Sequence, residues 1–430
     1  MKRVPLLAFL LLLAGCISDR VSQDSLDEIA ADYVQMTLEI GEREPGYVDA
    51  YYGPPQWADA AKAAPRSLDD LATEAAALSA RANRIPADKL EPIELRRRAF
   101  LLAQLKAATT RLRMLRGEKL SFQDEAEGLF GVRPDIRPLT DYDPVLARLE
   151  QLVPGTGPLW QRVDAFQERF TIPRERLKPV FDAAIGECRR RTARHIAMPP
   201  GERFTMEFVT GKSWSGYNYY KGNLTSLIQI NTDLPIRISR AVDLGCHEGY
   251  PGHHALNMLL EQRLTRGRGW VEYSIYPLYS PQSLIAEGSA NYGIELAFPG
   301  EERLRYETGT LYPLAGIATA GAADYLALQK ATQDLAGARF TISRDFLEGR
   351  LTREQAIAAT QKSQLVSRAR AEQSIAFTEQ YRSYVINYGL GQDMVAAHVE
   401  AAGSSPAARW AAMERVISEP TLPSDLLPPR

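Results

Sequence analysis

The chain has 430 residues, a formal net charge of -2, and 45% hydrophobic and 24% charged residues. That length supports one large domain or two to three small ones, each able to bury a core. The balanced charge gives no reason to expect nucleic acid as a partner, and the isolated run Arg189-Arg190-Arg191 reads as a solvated helix face.

Lys2 and Arg3 precede a short apolar run from Val4 to Leu13. It falls short of the about 20 residues a permanent membrane span needs. It ends in Leu13-Ala14-Gly15-Cys16, which resembles the bacterial lipobox. Residues 1–15 are therefore expected to be a lipoprotein signal peptide, with Cys16 lipidated and the mature chain held on a lipid bilayer, facing the periplasm. Ile17, in place of an Asp, favours the outer membrane over the inner. Two cysteines remain, Cys188 and Cys246, too few for a disulfide scaffold, and Cys246 reads as a small buried hydrophobe.

Residues 16–200 read as a helical region. A helix entered from residues 22–26 runs to about Gly41, with Ile29, Tyr33, Met36 and Leu38 on one side. The segment "GYVDAYYGPPQW" (46–57) is turn-rich, with Pro54 and Pro55 favouring extended backbone. Helical patterns follow over 67–84, 88–116, 143–153 and 174–194.

The pattern changes after Pro199-Pro200, and residues 201–430 read as the catalytic region. "RFTMEFVTG" (203–211) and "TSLIQIN" (225–231) alternate in the manner of strands, with an aromatic loop or hairpin between them. Helices are expected over 236–250, 253–266, 282–297, 303–330, 352–362 and 364–387, and Thr352 to Gln355 has capping-box spacing. The fold class expected is mainly α with a small sheet beside the histidine-bearing helix.

Three of the chain's 5 histidines fall within "HEGYPGHH" (247–254). Zinc takes neutral imidazole nitrogens, and hydrolytic sites pair three protein ligands with a nearby general base. The familiar H-E-x-x-H spacing puts both imidazoles on one helix face, but position i+4 from His247 is Pro251. On an unbroken helix His253 points roughly 120° away from His247. Pro251 and Gly252 predict a break after Tyr250 that swings His253 back. His254 returns to the right face, but its rise of roughly 10 Å is too large for one metal, so His253 is the favoured second ligand. The third is expected from "LIAEGSANYGIELAF" (284–298): Glu287, flanked by small residues, is preferred to Glu295. "TSLIQIN" offers either a strand on which an extended substrate could be laid at a sheet edge or one that packs on the metal helix.

The segment His247 to His254 resembles the H-E-x-x-P-G-H-H signature of a bacterial family catalogued as domain of unknown function 885, grouped with gluzincin-type metallopeptidases. Glu287-Gly288-Ser289-Ala290-Asn291-Tyr292 is similar to the segment that follows it in that family, with Ser289 where Trp is usual. "GYVDAYYGPP", "LTREQAIAA" (351–359) and Gly391-Gln392 resemble its other landmarks. The resemblance implies a zincin-like fold, zinc held by His247, His253 and Glu287, and Glu248 as the base that activates the attacking water. The function expected is a zinc metallopeptidase acting on peptides or small proteins. The alternatives are a zinc amidase or esterase, or a non-catalytic envelope lipoprotein that binds peptides or partners. A zincin also needs a donor for the oxyanion. The stretches "SRDFL" (343–347) and "GQDMVAA" (391–397) lack the family's His and Tyr, leaving Tyr219, Tyr220, Tyr388 and Arg344 as candidates.

Overall fold

In the computed structural model, residues 25–427 are described. The expected signal peptide and Cys16 lie outside them. Among the described residues the fold is mainly helical, with one two-stranded and one three-stranded sheet. No helix among them is long and apolar enough to cross a membrane.

The first helix, Leu26–Arg43, opens on a capping box between Ser25 and Glu28. This satisfies two backbone donors that a helix start otherwise leaves open. Its buried face, Ile29, Tyr33, Met36 and Leu38 among others, matches the stripe read from the sequence. Strand β1, Val48–Tyr51, follows and pairs antiparallel with β5, Ile275–Pro277. One hydrophobic cluster runs from Leu26 to Leu426, joining the N-terminal helices to the later elements.

The expectation of extended backbone through Pro54 and Pro55 holds only for the first. Pro54 has φ -57 and ψ 116, but Pro55 begins the helix Pro55–Ala63. A proline tolerates the first helical position because its missing N–H would be unpaired there anyway.

The larger sheet contains β2 (Arg203–Val209), β3 (Gly216–Tyr220) and β4 (Thr225–Asn231), in the order β2-β4-β3. β2 runs parallel to β4 and β3 antiparallel to it. "TSLIQIN" is thus the central strand, and both of its edges are paired. Of the two roles expected for this strand the substrate edge is wrong, because alternation identifies a strand but not its neighbours; the packing role holds, with Ser226 Oγ 2.7 Å from His254 Nδ1. The open edges belong to β2 and β3.

Two long helical stretches expected in the second half are interrupted. Residues 303–330 divide into Glu302–Tyr306, a π-helical turn Glu307–Leu311, Tyr312–Ala315 and Ala322–Gln333, with Gly316 at φ 71 ending the third piece. The stretch 364–387 breaks after Arg368–Tyr381, where Arg382 takes φ 53. Buried Glu125 holds that turn, accepting from Arg382 Nε at 2.8 Å and from the Ser383 backbone N–H at 3.1 Å. The chain then re-enters a helix at Ile386–Ala401.

Two helices meet without side chains between them. Pro281–Ala297 crosses Ile386–Ala401 at Gly288 and Gly391, where a Cβ on Gly288 would stand 2.4 Å from the Gly391 carbonyl carbon. Neither position admits even alanine without the backbones separating. This contact places Tyr384 and Tyr388 beside Glu287.

Candidate metal centre and its cleft

The helix Ser239–Glu248 carries His247 and Glu248 in its last turn. It ends at Glu248. The Tyr250-Pro251 peptide is cis, and a new helix, His253–Leu260, begins just beyond it. Between them the chain doubles back tightly: the Gly252 N–H donates to the Cys246 carbonyl at 3.1 Å. A Cβ on Gly252 would lie 1.8 Å from the His247 carbonyl oxygen. The break read from "YPG" is present, and it turns His253 toward His247 with ring centroids 4.7 Å apart.

His247, His253 and Glu287 offer one ligand atom each, all within 4.8 Å of one another. Glu287 Oε2 is 3.1 Å from His247 Nε2 and 3.7 Å from His253 Nε2. Tetrahedral nitrogen and oxygen ligands about 2.0–2.2 Å from one ion stand roughly 3.3 Å apart, so the separations suit a shared cation. The hydrogen bonding points the same way. Glu287 Oε1 accepts from the Tyr384 hydroxyl at 2.7 Å, whereas Oε2 is buried and has no hydrogen-bond partner despite its nearness to both imidazoles. The Asn291 amide donates to the Tyr388 carbonyl at 3.1 Å, so its Oδ1 is the acceptor for His247 Nδ1–H at 2.9 Å. That tautomer leaves the His247 Nε2 lone pair directed at the cluster. The residues present fit a zinc ion.

Charge at the site is one-sided. Burial would lower the His253 imidazole, but Glu287, Glu248 and Asp49 around it raise it to about 9. Burial raises the Glu248 carboxyl, and Glu287 adds to this while His247 and His253 oppose it. Burial alone would raise Glu287, yet the two imidazoles hold it well below the usual carboxylate range. Three carboxyl groups crowded round two imidazoles favour a cation among them.

Glu248 lies beside this cluster, 3% exposed, with Oε2 buried and unpartnered. Its backbone carbonyl accepts from Asn218 Nδ2 of β3 at 2.7 Å, which fixes the helix end against the sheet. Glu295, the rival third ligand in the sequence, accepts from Gln392 Nε2 at 2.8 Å and is not in the cluster.

His254 serves the scaffold. It is fully buried, with Nδ1 2.7 Å from Ser226 Oγ on β4 and Nε2 3.0 Å from Glu202 Oε2. Glu202 also accepts from Tyr250 and Arg189. Burial would raise this carboxyl, but the hydrogen bonds from His254, Tyr250 and Arg189 bring it down to about 2. The run Arg189 to Arg191 is thus more than a solvated face: Arg189 pairs with Glu202, and Arg191 with Glu187 and Glu302.

Cys246 is buried as expected, but it is not a lone hydrophobe. It forms a disulfide with Cys188, across Cα atoms 5.4 Å apart, tying the histidine helix to Leu177–Thr192. A separation of 58 residues gave no local signal for the pairing.

The cluster opens into a cavity of about 1080 Å³. Of the four candidates for the oxyanion donor, only Tyr388 lines it. Tyr220 donates to Glu261, and Arg344 pairs with Asp345. The Tyr388 ring lies 6.4 Å from the His247 ring, and its hydroxyl has no hydrogen-bond partner among the described residues. Asp49 of β1 also faces the cavity and accepts from the Tyr217 hydroxyl. Nothing local in "GYVDAYYGPP" marks Asp49 as a cavity residue. Asn291 was missed as well, although its spacing of four residues from Glu287 on one helix face was available.

No family model and no curated protein matches the sequence. Among solved structures, a protein provisionally described as a lipoprotein from Colwellia psychrerythraea is similar at TM-score 0.46 and 16% identity, over 82% of this chain and 69% of that one. A second, of unknown function, from Shewanella oneidensis gives 0.44 and 14%, over 93% and 74%. The M32 carboxypeptidase from Deinococcus radiodurans R1 gives 0.37 and 15%, over 91% and 88%. All three scores are below 0.5.

Proposed function

We propose that the chain is a zinc-dependent hydrolase with a zincin-like fold that cleaves peptide bonds, held on the cell envelope by a lipid on Cys16. The observation that carries the reading is the pair of buried, unpartnered carboxylate oxygens, Glu287 Oε2 within the His247–His253 cluster and Glu248 Oε2 beside it, on residues that line one large cavity. A structural metal site needs the first but has no use for the second.

His247, His253 and Glu287 would hold the ion. When bound, zinc supplies Lewis-acid polarisation and makes water nucleophilic near neutral pH. Asn291 keeps His247 in the ligating tautomer, and Tyr384 fixes the Glu287 carboxylate so that Oε2 is the free oxygen. Glu248 takes the proton of the attacking water and passes it to the leaving amine. The Tyr388 hydroxyl donates to the substrate carbonyl oxygen as it gains charge. Edge strand β3, with Gly216 and Asn218 on the cavity wall, is the surface along which an extended peptide would lie. The Cys188–Cys246 disulfide supports an oxidising compartment, as expected of an exported lipoprotein.

The test is Glu248→Gln in the zinc-loaded protein. Zinc content should stay near one per chain while peptide cleavage falls by roughly 10²- to 10⁴-fold. Cleavage unchanged by the substitution would remove Glu248 from the mechanism. Zinc without cleavage of any peptide by the wild type would favour the non-catalytic lipoprotein.

A further inference from the structure

Arg339 sits near the start of the helix Ala338–Leu347 and reaches into the cavity wall. Its Nε is buried with no hydrogen-bond partner, and the guanidinium has no ion pair among the described residues. Other arginines of the same cavity are supplied. Arg240 pairs with Asp243, Arg303 with Asp243 and Glu307, and Arg370 donates to the Pro235 carbonyl at 2.6 Å. Arg194 has no such partner, but it is exposed and water can serve it. A largely buried cation without a counter-charge is costly, and a protein keeps one where a ligand brings the charge.

The surroundings of Arg339 hold it in place without using its N–H groups. Its guanidinium carbon lies 5.1 Å from the centre of the Phe377 ring and 5.7 Å from that of Tyr388. Such contacts stabilise a cation through the ring face and leave its donors open. The Tyr388 ring in turn lies 6.4 Å from the His247 ring, so one aromatic ring separates the guanidinium from the metal cluster. A planar guanidinium with free donors is matched by a carboxylate, which accepts two parallel hydrogen bonds.

We propose that Arg339 binds the C-terminal carboxylate of a peptide substrate, so that the enzyme removes the last residue of the chain. This rests on the hydrolase reading above and adds the substrate class to it. In the reaction water adds across the final peptide bond. The departing amino acid leaves with a protonatable amine, and the shortened peptide keeps a new carboxylate.

The experiment compares peptides of one sequence, containing an internal Glu, with a free C-terminal acid or a C-terminal amide, incubated with the zinc-loaded wild type. A second arm measures calorimetric binding of an N-acetyl amino acid and its amide to Glu248→Gln protein with and without Arg339→Gln. The acid should lose its last residue, with kcat/KM roughly 10- to 100-fold above that of the amide. Arg339→Gln should raise KM for the acid and bring the two peptides together. Equal cleavage of acid and amide overturns the assignment while leaving the hydrolase reading intact. Cleavage beside the internal Glu also overturns it, giving Arg339 to an acidic side chain. If neither peptide is cut, the hydrolase reading fails and the binding arm decides: acid binding weakened about 10-fold or more by Arg339→Gln supports the carboxylate site, and unchanged binding overturns it. The comparison of acid with amide in the wild type stands even if the Arg339 variant does not fold.

Discussion

The Gly252 α-carbon rests so closely on the His247 carbonyl that a Cβ there would lie 1.8 Å from the oxygen. The second helix therefore starts directly beneath the end of the first, and this stacking brings the His253 imidazole to the His247 imidazole.

Gly252→Ala should accordingly disrupt both fold and site. The contact is with backbone, so relief requires the two helix ends to part. A destabilisation of about 3 kcal/mol or more is expected, with loss of zinc uptake, read from the melting temperature and metal content. A variant with wild-type melting and full zinc would contradict this account of the spacing.

The adjacent histidines should behave differently. His253→Ala should abolish zinc binding. His254→Ala should leave all three ligand side chains present but cost about 2–3 kcal/mol, because Glu202 and Ser226 lose a fully buried partner. Zinc titration and thermal unfolding of the pair separate the roles, and the opposite pattern would exchange them.

Tyr388→Phe removes a hydroxyl that has no partner among the described residues, so little stability should be lost. If it is the oxyanion donor, kcat should fall by roughly 10²- to 10³-fold while zinc content stays constant. Unaltered turnover would exclude it.

Glu202 gives a pH signature on a group outside the metal-ligand cluster. Its carboxyl is brought from an ordinary value of 4.5 down to about 2. A lowered folded-state value means that the stabilisation is complete above about 4.5 and is lost as pH falls toward 2. The amount is on the order of 3 kcal/mol, and its side chain is only 2% exposed. Unfolding measured from pH 6 to pH 2.5 should show this loss in the wild type, and a shallower slope in Glu202→Gln. Parallel curves would assign the acid sensitivity to other groups.

The local chemistry of the site was legible in the chain. His247, Glu248 and His253 lie close together and Pro251 and Gly252 forbid a continuous helix, which are backbone rules acting over a few positions; Glu287 was singled out by the small residues around it, but its meeting with the histidines is a matter of helix packing. Two of the three strands of the larger sheet and most early helices were legible for the same reason, since hydrophobic periodicity is a local property. The order of the strands was not: the alternation of residues 225–231 is the same at an edge or at the centre of a sheet. The Cys188–Cys246 bond, the Glu125 anchor at Arg382 and the Gly288–Gly391 crossing join residues tens to hundreds of positions apart. Only the tertiary structure decided that Tyr388 faces His247, that Asp49 enters the cavity, and that Arg339 stands there without a counter-charge. Those facts depend on which helices pack together, and packing is settled by the fit of whole surfaces that no short stretch of sequence contains.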